Sequence, residues 1–338
     1  MTMMNQARRD FAAKLLSQPA VCLAEVYRKR GDVLDLTGFY DTACDEYNRA
    51  KTLFHQAGCR SKCGEVEHAV GNLMLNRGAF DKAEVHFKKA LDVFSEFKDE
   101  INVAKCYKEM GKLCQYREKP DEALTYYQKS LIINKQLGDI KGCDVIVEYQ
   151  ADVYRSKGEY KKALEAVTQL LDQYKDSNEF RTFCRILKLA GYIYMDNGNN
   201  ELSKVYLEKA YQYSIKTGES SMAMYILCDL GASYYSTGEY ETACMYYGQC
   251  LDMAEKLDST YMKAVNLVNL ADAFSKKGDL NRSRACINRA ATINHNIGGL
   301  TSEIQRIQEE IAQKEGDQEK AGQEKSRETQ GDQVPHAT

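Results

Sequence analysis

Apolar positions along the chain recur every three to four residues, break at a glycine, and resume. One instance runs Tyr225, Leu227, Leu230 and Tyr234, stops at Gly238, and restarts as Tyr240, Ala243, Tyr247 and Leu251. That spacing puts the apolar side chains on one face of a helix. The pattern predicts pairs of amphipathic helices, each pair folded about a short turn. A step of 40 residues reproduces it along the chain. From Gly38 the step meets Gly78, Glu118, Gly158, Gly198, Gly238 and Gly278. Seven residues earlier stand Gly31, Gly71, Gly111, Ala151, Gly191, Gly231 and Ala271. A third column holds Ala43, Ala83, Ala123, Ala163, Ser203, Ala243 and Ser283; a fourth holds Tyr47, Phe87, Tyr127, Val167, Leu207, Tyr247 and Ile287.

Each column has a physical reading. Glycine at the turn supplies the left-handed backbone that ends the first helix. The two small columns mark where paired helices approach most closely, and the large column fills the space beside them. The predicted fold is therefore all-α: a solenoid of seven antiparallel helix pairs over residues 20–297, closed by terminal capping helices. Residues 1–19 are expected to form the first cap, with Met4 to Leu16 helical and Pro19 ending it. Residues 298–315 are expected to form the second, on the stripe Ile304, Ile307 and Ile311. Residues 316–338, poor in apolar side chains, are expected to be a disordered polar tail.

Composition changes the picture in few places. Only 3 of 338 residues are proline, as long helices require. Hydrophobic content of 43% can bury a core, and a net charge of −3 with 28% charged residues argues against a general nucleic-acid binder. The 12 cysteines form no C-x-x-C pair, and several sit among periodic apolar positions, as reduced cysteines of a cytoplasmic protein would. The opening "MTMMNQARRDFAAKLL" lacks the apolar core of a signal peptide, and no apolar run is long enough to span a membrane.

At the repeat columns the sequence resembles the tetratricopeptide repeat family, in the longer 40-residue variant of kinesin light chains, rapsyn and the Leu-Gly-Asn G-protein modulators. The resemblance implies a right-handed α-solenoid superhelix and a non-enzymatic scaffold or adaptor that binds a peptide or helix of a partner protein in a concave groove lined by the first helices. Motor, cilium, polarity and receptor-clustering complexes are the settings it suggests. Carried over position by position, the groove opens with acidic side chains such as Glu25, Asp32 and Asp35. Asn72 and Asn76 follow, then Lys105, Lys108 and Lys112, then Arg155, Arg185 and Lys188, and finally the aromatic Tyr192, Tyr225 and Tyr235. A basic middle beside tyrosines suits a partly acidic, partly apolar segment. The three lysines are expected to be a surface row whose reversal to Glu leaves stability unchanged. The carboxylate clamp of chaperone-binding relatives is not completed, because Glu109 and Val145 stand where Asn and Lys should follow His68 and Asn72.

The sequence carries no P-loop, G-x-G-x-x-G, H-E-x-x-H or G-x-S-x-G motif, so neither an enzyme nor a cofactor is expected. His55, Cys59 and Cys63 are spaced like metal ligands but lack a fourth, and Gly58 interrupts them. The alternative reading is a helical-repeat nucleic-acid binder that uses the basic stretch.

Overall fold

The computed structural model describes the backbone of residues 2–297 and 299–331 and the side chains of residues 18–295, 299–316 and 320. Among them are fifteen helices and no strand. The chain divides into two compact halves, Met1–Ala166 and Val167–Thr338, and each is taken by itself.

In the first half, α1 (Thr2–Leu36) pairs with α2 (Tyr40–Gln56), α3 (Arg60–Asn76) with α4 (Phe80–Glu96), and α5 (Glu100–Tyr116) with α6 (Pro120–Leu137); α7 (Ile140–Ser156) packs on α6. Helix α8 (Tyr160–Tyr174) crosses the boundary between the halves. In the second half, α9 (Phe180–Asp196) pairs with α10 (Asn200–Lys216), α11 (Ser220–Ser236) with α12 (Tyr240–Lys256), and α13 (Thr260–Lys277) with α14 (Leu280–Ile297). The last helix, α15 (Thr301–Gly331), packs on α13 and α14 through the buried Ile304, Ile307 and Ile311. Within the first half α1, α3, α5 and α7 also touch in succession, so the first helices share one side.

The columns do what their residue types suggest. All seven turn residues have positive φ, from Glu118 at 57° to Gly278 at 86°. The Ala/Ser column is fully buried in both halves: Ala43, Ala83, Ala123, Ser203, Ala243 and Ser283 are each 0% exposed. A second turn column lies between the repeats. The turn between successive repeats is left-handed as well, at Gly58, Lys98, Gly138, Gly218 and Asp258. Left-handed backbone costs a residue with a Cβ about 1–2 kcal/mol. Lys98 is exposed at φ 54°, so Lys98→Gly is expected to stabilise the first half by up to about 1 kcal/mol, offset in part by a floppier unfolded chain. Thermal melts of the two proteins check it.

Two boundaries differ from expectation. Helix α1 is continuous from Thr2 to Leu36 with Pro19 inside it, rather than ending there. A proline removes one donor and crowds the carbonyl four residues back, which more often kinks a helix than ends it when long helix-forming stretches flank it. Helix α15 likewise runs on to Gly331, past the expected start of a disordered tail. The stretch is rich in Glu, Gln and Lys and free of proline, so its local propensity is helical despite its polarity and its glycines. Residues 332–338 lie outside the described residues.

Candidate functional site

Opposite charges hold the repeats in register. Arg77, Arg117 and Lys157 cap the C-terminal ends of α3, α5 and α7. Each reaches an aspartate in the first turn of the preceding hairpin's second helix: Asp41 at 2.8 Å, Asp81 at 2.6 Å and Asp121 at 2.7 Å. Cations at helix C-termini and anions at N-termini also suit the helix dipoles. These pairs are exposed and individually weak; their recurrence at one offset fixes alignment more than it adds stability.

The acidic opening of the groove is largely satisfied internally. Glu25 pairs with Arg28 at 2.9 Å and with Lys62 at 3.1 Å, and Arg28 also meets Asp32 at 3.1 Å. Asn76 is exposed and donates to Asp35 at 3.5 Å, whereas Asn72 is half-buried on α3. The lysine row departs from expectation. Lys105 is exposed and donates to Asn102 at 3.2 Å. Lys108 and Lys112, however, both grip Glu109 at 2.9 Å, and that carboxylate is only 5% exposed. Burial alone would push the Glu109 carboxyl up; the two lysines outweigh it and hold it below its ordinary value. Reversing all three lysines would strand a buried carboxylate beside two others, so the expectation of unchanged stability is corrected. Removing the partners of a buried charge is strongly destabilising.

Two clefts open between α5 and α7. The first, about 530 Å³, is lined by Lys112, Gln115, Tyr116, Pro120, Tyr149 and Asp152. The second, about 450 Å³, lies further along the same helices, with Ile101, Leu137 and Val145 as apolar lining and Lys105, Lys108 and Lys141 beside them. Lys112 sits 6.0 Å from the Tyr149 ring, which stacks on Tyr127 at 5.4 Å. Tyr116 is 61% exposed and stacks on Phe80. Gln115 donates to Asp152 at 3.2 Å, and Arg155 pairs with Asp152 at 2.9 Å.

In the second half the site residues lie on α9 and α11. Lys188 lies 5.5 Å from the Tyr192 ring, and the Tyr192 hydroxyl donates to Asp229 at 2.6 Å. Burial raises the Asp229 carboxyl above its usual range, against the pull of Tyr192 and Lys188. Arg185 is half-buried on α9, and Tyr225 is 47% exposed on α11. Tyr235 meets Tyr240 edge-on at 5.4 Å, and burial together with Asp272 raises its phenol. The structure thus brings the lysine row and Arg155 together on α5 and α7, and the aromatic set with Arg185 and Lys188 on α9 and α11. Among the described residues no group of three or more His, Cys, Asp or Glu side chains is placed to hold a metal ion. No described helix is long and apolar enough to cross a membrane.

A tetratricopeptide repeat model matches residues 62–136 and 220–294, and a second one matches residues 186–214. Together they cover more than half of the chain. The chain belongs to the tetratricopeptide repeat family. Its repeats are those of protein-interaction scaffolds, which generally bind protein partners and are generally not enzymes. No curated protein sequence matches it. The apo form of RapI shares the fold with a TM-score of 0.60 at 16% identity, over 81% of this chain and 98% of that one. A Rap protein complexed with competence and sporulation factor does so with a TM-score of 0.55 at 12% identity, over 86% and 99%. A signal transduction ATPase with a tetratricopeptide repeat sensor from Pyrococcus horikoshii matches with a TM-score of 0.58 at 14% identity, over 89% of this chain and 49% of its own. The chain spans about half the length of that protein.

In this tetratricopeptide repeat protein the sequence places Asp152 and Asp272 on the groove beside the cations and tyrosines, but it does not name Asp229 and does not show that Glu109 is buried between two lysines. A usable signal existed. Partners such as Gln115 and Asp152, or Tyr192 and Asp229, stand 37 residues apart, nearly one repeat, because they join equivalent levels of successive first helices.

Proposed function

We propose that this tetratricopeptide repeat protein is an adaptor that holds an acidic, partly apolar segment of a partner protein along α5 and α7. One observation carries the reading: two clefts lie end to end between these helices, one with an apolar lining beside lysines and one lined by two tyrosines. At the second cleft Lys105, Lys108 and Lys141 stand against Asp139 and the Glu109 carboxylate, which leaves an excess of one positive charge there. An apolar side chain seated between Ile101, Leu137 and Val145 would place a neighbouring carboxylate near that excess. The clefts exist before any partner arrives, so little ordering cost falls on the protein. A Rap protein of the same fold has been seen in complex with competence and sporulation factor, which supports the capacity of this fold to host a bound molecule. A nucleic-acid reading draws less support, since the chain carries a net charge of −3 rather than a basic excess.

Panning a random-peptide phage library on the purified protein tests the proposal. Enriched peptides should combine Asp or Glu with a large apolar residue. Lys105→Glu should shift enrichment away from acidic peptides, and Tyr116→Ala should weaken binding roughly tenfold, as loss of an exposed aromatic anchor does. Lys105 is exposed, so Lys105→Glu should leave the melting temperature unchanged, whereas Tyr116→Ala gives up the stack on Phe80 and should lower it only slightly. Enrichment indifferent to charge and to both substitutions would remove this groove as the site.

A further inference from the structure

Two columns mark the face that each first helix turns toward the preceding repeat. Stepping from Val26 they give Val66, Cys106, Ile146, Ile186 and Ile226, none more than 1% exposed. Stepping from Val33 they give Leu73, Leu113, Val153 and Ile193, none more than 2% exposed. In α1 the same positions are open: Val26 is 51% exposed and Val33 59%, with Leu23 beside them at 45%. A shallow groove of about 430 Å³ runs over Val26, Arg30, Val33 and Leu34. So α1 shows solvent the surface that later repeats bury against a neighbouring helix.

Among the described residues nothing covers this face. Residues 2–17 continue the same helix through Pro19 instead of folding back, and α1 packs on α2 and α3. In register with the later second helices, that stretch would also place Asp10 and Lys14 in the columns of Ala50 and Phe54, both of which are fully buried. Nor does the chain offer another copy an open second-helix face at its last hairpin, because α15 already packs there on α13 and α14. Head-to-tail stacking of copies is therefore closed off. What remains for a second copy is the same face, α1 against α1, which is the self-complementary contact of a two-fold dimer.

The sequence along α1 suits such a contact. Ala12, Leu16, Pro19, Leu23, Val26, Arg30 and Val33 are spaced alternately four and three apart, the spacing of a two-helix seam. Its 35 residues make α1 about 52 Å long. Pairing over that whole length buries on the order of 1,000 Å², the floor for a specific interface. Residues 20–36 alone would bury about half of that, so the N-terminal part of the helix is needed.

We propose that the protein forms a two-fold dimer in which the α1 helices pair through the Leu23, Val26 and Val33 stripe. Sedimentation velocity of the full chain should show a species of twice the 38.4 kDa chain mass whose population rises with concentration. Val26→Glu with Val33→Glu should return it to a single chain mass with unchanged helical circular dichroism, because both side chains are already mostly exposed in one chain. If the double variant loses helicity, Leu23→Lys on the same stripe takes its place. A wild-type protein that stays a monomer throughout overturns the proposal, whether the face is then covered by residues 2–17 folded back at Pro19 or awaits a helix of another protein. A dimer that persists in the folded variants overturns it equally.

Discussion

Gly111→Ala is expected to destabilise the first half of the molecule by about 2–3 kcal/mol, although alanine is the better helix former by about 1 kcal/mol. A Cβ at Gly111 would stand 2.4 Å from Cε1 and 2.6 Å from Cδ1 of Tyr127, far inside contact distance. The ring has nowhere to go. It is 0% exposed, stacked on Tyr149, and its hydroxyl is bonded to Gln115. Any shift that relieves the clash therefore moves Tyr149 and Gln115, both of which line the cleft between α5 and α7. The loss of stability should be accompanied by weaker peptide binding. Gly248 supplies the control. It also sits within a helix, but an added Cβ there meets nothing within 4 Å. Gly248→Ala should raise stability by up to about 1 kcal/mol. Urea unfolding followed by circular dichroism reads both, and equal effects of the two substitutions would refute the close-approach reading of the Gly111 column.

That column also shows why the fold was readable from sequence. Glycine stands wherever the large column holds Tyr, Phe or Leu, as at Gly71 with Phe87 and Gly191 with Leu207. The two alanines, Ala151 and Ala271, fall in the repeats whose large residue is the smaller or β-branched Val167 or Ile287. A small residue faces a large one at every level, and repetition makes the rule visible. The second turn column was less legible because its left-handed residues mix Gly58 and Gly138 with Lys98 and Asp258, and composition gives no hint of φ there. The ends of the solenoid were misjudged for a related reason. Pro19 and the polar stretch after Gly316 were read through single-residue and composition rules, while local helix propensity decided the backbone. In the groove, the cations and tyrosines fell on the expected helices. Asp152 and Asp272 were legible as groove positions, but the gripping of Glu109 by two lysines was not, because Glu109 on α5 is buried by its surroundings, which one helix's own periodicity does not describe.

Stability is expected to fall in two steps as pH is lowered, and His68 sets the first. The ring lies 5.8 Å from Phe87, and its Nε2 is sealed from solvent without a hydrogen-bond partner. Burial is the main cause that brings its pKa down to about 4; Glu109 opposes this, and Lys108, Lys105 and Lys112 reinforce it. The sign follows from the two states. Above pH 6.5 neither the folded nor the unfolded chain protonates this group. Between pH 6.5 and 4 the unfolded chain takes up a proton that the folded chain refuses, so stability drops by about 3 kcal/mol across that window and no further from this group below it. A second loss begins below about pH 4.5. It belongs to carboxylates held low in the folded state, such as Glu67, which burial would raise but which His86 and Lys51 bring to about 2. His68→Phe keeps a ring against Phe87 and removes the unpartnered nitrogen. It should match the wild type at pH 7, exceed it increasingly from pH 6.5 to 4, and leave the lower step in place. An NMR titration that places the native His68 near 6.5 would sink this account. Lys105 and Lys108 also belong to the positive excess to which an acidic partner segment is assigned. Such a segment, once bound, should offset their field and move His68 upward in pKa, whereas a neutral peptide in the same cleft should leave it where it was.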